Sequence, residues 1–138
     1  MTKNPDPQEP HNPFGKLVGW QFTHSADGIS RCQLEVTPQL LNPHGVLHGG
    51  VVYSLADTGM GAALYSLLEP GISCATAEIK ISYFRPVTNG MLECETRVLK
   101  MGRKLAFLES EVRLGEDIVA KASGTYAIIP APNTARSA

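Results

Sequence analysis

The sequence predicts an α+β domain in which one long central helix is wrapped by a curved antiparallel sheet. Three observations carry this reading. Residues 49–68 are apolar around nearly the whole circumference of a helix, four extended runs follow between 72 and 129, and short Gly- or Pro-bearing breaks divide those runs. A helix without a polar face needs cover on every side, and consecutive strands are the element at hand to provide it.

The elements follow in chain order. Pro5, Pro7, Pro10 and Pro13 interrupt a polar stretch, and Pro130 and Pro132 open another. Segments 1–13 and 130–138 therefore read as flexible tails around one folded unit, 14–129. Lys16–Thr23 and Ile29–Thr37 flank Asp27-Gly28 and read as a hairpin. The helix is expected from Gly49 to Leu68, ended by Pro70-Gly71. Gly59 and Gly61 each cost it about 1 kcal/mol relative to alanine, which suits positions where another backbone comes very close. Ile72–Phe84, Met91–Met101, Leu105–Leu114 and Ile118–Ile129 then read as four strands of a meander, with Asn89-Gly90 and Gly102 supplying positive φ at tight turns. In the first of them, Ala77, Ile79, Ile81 and Tyr83 are expected on the dry face, and Glu78, Lys80 and Ser82 on the wet one.

Composition narrows the function. A chain of 138 residues with 43% hydrophobic residues can build one core, which excludes a disordered chain. Twelve Lys+Arg against 13 Asp+Glu give no bulk positive field, so no nucleic-acid partner is expected. Three cysteines, Cys32, Cys74 and Cys94, are odd in number and lack a CxxC, which disfavours a disulfide framework or a zinc knuckle. With no signal-peptide core near the start, a cytoplasmic location is expected. Residues 46–68 are long enough to cross a bilayer, but Asp57 would sit near mid-membrane without basic anchors at the flanks, so no membrane partner is expected.

Asp57 is the residue that does not fit the apolar helix. An unpaired buried carboxylate costs several kcal/mol, and no Lys or Arg stands three or four positions away. Either it bonds Ser54 or Thr58 beside a solvent channel, or it has a chemical task. Upstream lies Asn42-Pro-His-Gly-Val-Leu-His48-Gly49-Gly50. The glycine pair opens the helix with bare N–H groups at the positive end of its dipole, a place for an oxyanion. His48 could orient the loop or a substrate carbonyl, or simply bond a backbone carbonyl at the helix start. Asn42 could donate to the same substrate carbonyl. His44 and His48 lack a third ligand at workable spacing, so no metal site is expected.

Asn42-Pro-x-Gly45, Leu47-His48-Gly49-Gly50, Asp57 seven residues beyond, and Glu78-Ile-Lys-Ile-Ser-Tyr-Phe-Arg85-Pro86 together resemble the PaaI-type branch of the hotdog thioesterases, over nearly all of 42–129. That resemblance implies the hotdog fold, hydrolysis of acyl-CoA thioesters and no cofactor. It also implies a homodimer, often paired into a tetramer. By similarity, Asp57 is the general base or nucleophile, Gly49 the oxyanion donor, and His48 and Asn42 helpers at the carbonyl. Thr76 matches the position that holds the attacking water, although strict alternation turns it away from Ile79 unless a bulge intervenes. Arg85, Pro86, Arg103 and Lys104, with Gly50, are the candidates for holding the substrate's nucleotide end, and Lys100 lies beside them. The acyl group is expected along the helix near Tyr53, Met60 or Tyr65.

The chemistry is consistent with these residues. A thioester is an activated acyl group, and the chain has no Gly-x-Ser-x-Gly elbow and no cysteine beside a histidine. Attack by water or by Asp57 itself remains, and water is preferred. Eight residues along one helix separate Gly49 from Asp57 by roughly 12 Å, too far for both to serve one carbonyl. A site built by two subunits about a two-fold axis is therefore expected. A hotdog dehydratase or hydratase and a non-catalytic acyl-CoA binder are the alternatives; the His-Gly-Gly opening argues against the former, and Asp57 together with the glycine pair argues against the latter.

Overall fold

The computed structural model describes residues 12–132. The chain runs through α1 (Pro13–Val18), β1 (Gln21–Ala26), β2 (Ile29–Glu35), a 3₁₀ turn (Pro38–Leu40), α2 (Gly49–Tyr65), β3 (Ile72–Tyr83), β4 (Met91–Met101), β5 (Leu105–Leu114) and β6 (Asp117–Pro130). The six strands form one antiparallel sheet in the order β1-β2-β4-β5-β6-β3, and α2 lies against it. The expected wrapped-helix architecture is the observed one.

Four expectations about the elements change. Lys16–Val18 is helical, not the start of a strand. Asn12 accepts the Gly15 N–H at 3.0 Å, Pro13 occupies the first turn, and Gly19 closes α1 at φ 102°. Asn12 and Pro13 thus belong to the folded unit; the rest of the expected N-terminal tail lies outside the described residues, as do 133–138 of the C-terminal one. Helix α2 ends three residues early, because the N–H groups of Leu67 and Leu68 bond three residues back, to Leu64 and Tyr65, and tighten the last turn. The meander comprises only β4-β5-β6. Strand β3 pairs with β6, so residues 86–90 form a crossing between strands that are not neighbours. Gly90 has the expected positive φ of 104°. Gly102 does not; a side chain there would come within 3.0 Å of the Leu105 carbonyl oxygen, so close approach is what requires glycine.

Two connected apolar clusters fill the space between helix and sheet, one around Leu34, Leu55, Leu92 and Val112, the other around Met60, Leu64, Leu108 and Tyr126. Buried and half-buried hydroxyls fix the helix within this apolar packing. Ser30 donates to the Gly59 carbonyl at 2.6 Å and Ser25 to Ala62 at 3.2 Å; Ser110 contacts both Thr96 (2.6 Å) and the Ala56 carbonyl (3.4 Å). These bonds tie three successive points of α2 to β1, β2 and β5, which sets the helix's rotation. Gly59 lies under this contact: a β-carbon there would stand 2.7 Å from Thr96 Oγ1. Gly61 meets nothing within 4 Å, so the close approach expected there does not occur within one chain.

The expected all-round burial of the helix is likewise corrected. Leu55, Ala56, Met60 and Ala63 are buried, while Ser54, Asp57, Thr58 and Gly61 form a half-exposed stripe. The sheet covers the side that the hydroxyls grip, and this stripe is left between α1 and β3.

Candidate active site

Asp57 stands on that stripe, held by two hydroxyls. Its Oδ1 accepts Thr76 Oγ1 at 2.8 Å and also meets the Tyr126 hydroxyl, which lies 2.8 Å from the Asp57 carbonyl oxygen as well. A bulge makes the first contact possible. Thr76 pairs with Tyr126 and Glu78 with Thr125, leaving Ala77 as the extra residue. The face alternation slips by one there, so Cys74, Ile79 and Ile81 pack against the core on both sides of the slip while Thr76 meets the helix. Ala77 itself is exposed, contrary to its expected place on the dry face.

Among the described residues, Asp57 Oδ2 has no hydrogen-bond donor, so one carboxylate oxygen is anchored and the other is open to a solvent or substrate proton. Burial, followed by its bond to Asp57, pushes the Tyr126 phenol well above its ordinary value and keeps it a donor. Burial and then the Asp57 charge push the Cys74 thiol up to about 11. The cavity here holds about 360 Å³ and is lined by Asp57, Cys74, Thr76 and Tyr126, with Phe14 and Trp20 among the other walls.

Gly49 and its neighbours line a separate cavity of about 330 Å³ with Tyr83, Arg85, Pro86 and Val87. The Gly49 N–H has no acceptor among the described residues, whereas the Gly50 N–H is taken by His48 Nδ1 at 2.8 Å. His48 is therefore the helix N-cap and orders the start of the helix by accepting a backbone amide, not by donating to a backbone carbonyl as the alternative reading had it. Tyr83 donates to the Gly49 carbonyl at 2.7 Å and covers the glycine: a β-carbon would lie 3.3 Å from its ring. Asn42 Oδ1 accepts the N–H groups of His44 (2.8 Å) and Val46 (3.3 Å), which folds the loop around Gly45 and leaves the Asn42 side-chain N–H₂ without an acceptor among the described residues.

The structure therefore gathers Asp57 and Thr76 in one place and Gly49, Arg85 and Pro86 in another. It does not join the two within one chain. Nor does it bring together the nucleotide-end candidates. Phe84, next to Arg85, bonds Val119, whereas the Lys104 carbonyl accepts Ile128. Nine strand residues separate these points, roughly 30 Å. Arg85 is paired with Asp117 at 2.6 Å, and Arg103 and Lys104 are exposed at the far turn, on the side of Cys74. Met60 is fully buried, and neither Tyr53 nor Tyr65 lines either cavity, so the residues expected beside the acyl group are not those around Asp57. Sequence reasoning missed Tyr126 and Tyr83. Both became visible only through strand pairing and contacts with α2. No three His, Cys, Asp or Glu side chains cluster as metal ligands among the described residues, and no described helix is long and apolar enough to cross a membrane.

The thioesterase superfamily model matches residues 44–121, the span from the loop before Gly49 to mid-β6. The chain belongs to that superfamily. This thioesterase is 31% identical over 121 residues to a candidate esterase of Saccharolobus solfataricus, covering 86% of this chain and 79% of that one. A solved conserved protein of Pseudomonas aeruginosa superposes with a TM-score of 0.84 at 36% identity, over 91% of this chain and 99% of the other. A point mutant of the phenylacetic acid degradation protein PaaI from Thermus thermophilus superposes at 0.78 with 27% identity, over 84% and 98%. The thioesterase is thus a PaaI-type hotdog protein and a thioester hydrolase.

Proposed function

We propose that the thioesterase hydrolyses acyl-CoA thioesters by Asp57-assisted attack of water, in sites that two subunits share. The observation carrying this reading is the Asp57 carboxylate, fixed by Thr76 and Tyr126 at one oxygen and unpartnered at the other, on the wall of an open cavity. Asp57 Oδ2 takes a proton from water as its oxygen attacks the thioester carbonyl. The resulting oxyanion accepts the Gly49 N–H of the partner subunit, with the Asn42 side-chain amide and His48 beside it. Collapse breaks the C–S bond, and the departing thiolate recovers the proton from Asp57. Free acid and CoA result. Thr76 and Tyr126 keep the carboxylate aimed through the cycle.

The sharing of the site is supported by the sheet edge. Strand β3 ends the sheet and offers twelve residues with one unpaired side, a surface that folded proteins rarely leave open. Pairing two copies of β3 antiparallel about a two-fold axis sets the Thr76 end of one copy beside the Tyr83 end of the other. Asp57 lies at the first end and Gly49 at the second. Arg103 and Lys104 on one side, with Arg85, Pro86 and Gly50 on the other, then border the joined cleft and receive the CoA phosphates. A dimer of such dimers is the assembly proposed.

The test is release of free thiol from a panel of acyl-CoA thioesters by the wild-type chain and by Asp57→Asn. The expected loss is at least about a hundredfold in kcat. A loss of only about threefold would remove Asp57 from the base role.

A further inference from the structure

Resting on that reading, we propose that Phe14 and Trp20 form an acyl-selecting wall, so that the N-terminal helix and the turn after it set which thioesters are hydrolysed. Both side chains line the cavity that contains Asp57, and they meet edge to face with ring centroids 5.5 Å apart. Helix α1 forms no part of the sheet. It is nevertheless closely built. Gly15 is buried, and a β-carbon there would come within 2.7 Å of the Trp20 indole nitrogen, so the glycine makes room for the ring and the ring fixes the helix. Phe14, 52% exposed, is an apolar surface without full cover next to an acidic group that has work to do.

The apolar wall and the carboxylate line the same cavity. A carbonyl placed at Asp57 directs its acyl substituent into that space, where an acyl group gains affinity by burying apolar surface against the two rings. Phenylacetyl and hexanoyl groups are long enough to reach the rings, whereas acetyl has no apolar surface to bury against them. Selectivity for bulky apolar acyl groups over acetyl therefore comes from α1 and the Trp20 that follows it, and the residues expected from the helix alone, Tyr53, Met60 and Tyr65, do not supply it.

Trp20 is the chain's single tryptophan, so the wall reports on its own occupancy. Titration with non-hydrolysable thioether analogues of phenylacetyl-CoA and hexanoyl-CoA is expected to change the intrinsic fluorescence and shift its maximum to the blue, while CoA lacking an acyl group does neither. Equal responses to CoA and to the analogues would overturn the proposal even if hydrolysis is intact. In the thiol-release assay, Phe14→Ala is expected to lower kcat/KM at least tenfold more for phenylacetyl- and hexanoyl-CoA than for acetyl-CoA, chiefly through KM. Gly15→Ala, which displaces the indole, is expected to shift the same ratio in the same direction. Equal losses on all three substrates would make α1 merely structural, and no loss on any would take the wall out of the acyl site; both results overturn the proposal. A wild-type chain that binds the analogues with the fluorescence change yet releases no thiol contradicts the hydrolytic reading and leaves the wall standing.

Discussion

Thr76 reaches Asp57 across 2.8 Å because the strand that carries it slips by one residue at Ala77. Removing the slip would turn the hydroxyl to the opposite face of the sheet. Thr76→Val is therefore expected to lower kcat about tenfold with little change in Tm, whereas Thr76→Ser should retain most of the rate. Steady-state kinetics beside thermal melts check this, and a Ser variant as impaired as Val would show that the hydroxyl is not what matters.

Tyr126 donates to the same carboxylate from a buried position, 2% exposed. Its raised pKa gives a sign to the pH dependence of stability. Below the ordinary tyrosine range both folded and unfolded states are protonated and the contribution is fully present. Above it the unfolded chain ionises first, and stability falls as pH rises towards the folded value. Chemical denaturation between pH 9 and 11 is expected to show a steeper alkaline loss for the wild type than for Tyr126→Phe. Parallel curves would contradict this coupling.

Cys74 extends the argument to reactivity. It is half-buried where Cys32 and Cys94 are buried, and its thiol is pushed up to about 11, first by that partial burial and then by Asp57. Alkylation at pH 8 should be slow, and Asp57→Asn should quicken it by returning the thiol towards 9.0, its ordinary value. An unchanged labelling rate in Asp57→Asn would mean that the carboxylate's field does not reach the sulfur.

The two glycines in the middle of α2 make opposite predictions. Gly59→Ala drives a methyl group into Thr96 Oγ1, at 2.7 Å, and should destabilise by about 1–3 kcal/mol despite better helix propensity. Gly61→Ala meets open space within the chain and should stabilise the isolated fold by up to about 1 kcal/mol. Denaturant titration separates them. A destabilised Gly61→Ala would indicate that another copy's backbone packs there.

Much of this was legible because local chemistry and tertiary structure agree. The Gly49 helix start, the strands Met91–Met101 and Leu105–Leu114, and Asp57 as the misfit in an apolar helix needed only pattern and spacing. Strand order was not legible: β3 and β4 are consecutive in sequence, and only packing around α2 sends them to different neighbours. Tyr126 escaped for the same reason, since its partnership with Asp57 depends on β6 lying beside β3. Helix α1 is ambiguous in sequence: an Asn-Pro start and a Gly stop signal a short helix, while Val18, Trp20 and Phe22 alternate like a strand.

The shared site is tested most directly by complementation. Chains carrying Asp57→Ala and chains carrying Gly49→Val, each inactive as homodimers, are unfolded together and refolded as a mixture. Half of the dimers formed at random are mixed, each with one intact cleft, so about a quarter of wild-type activity is expected to return. Mixtures that form mixed dimers, shown by native mass spectrometry, and still release no thiol would contradict a site built from Asp57 of one subunit and Gly49 of the other.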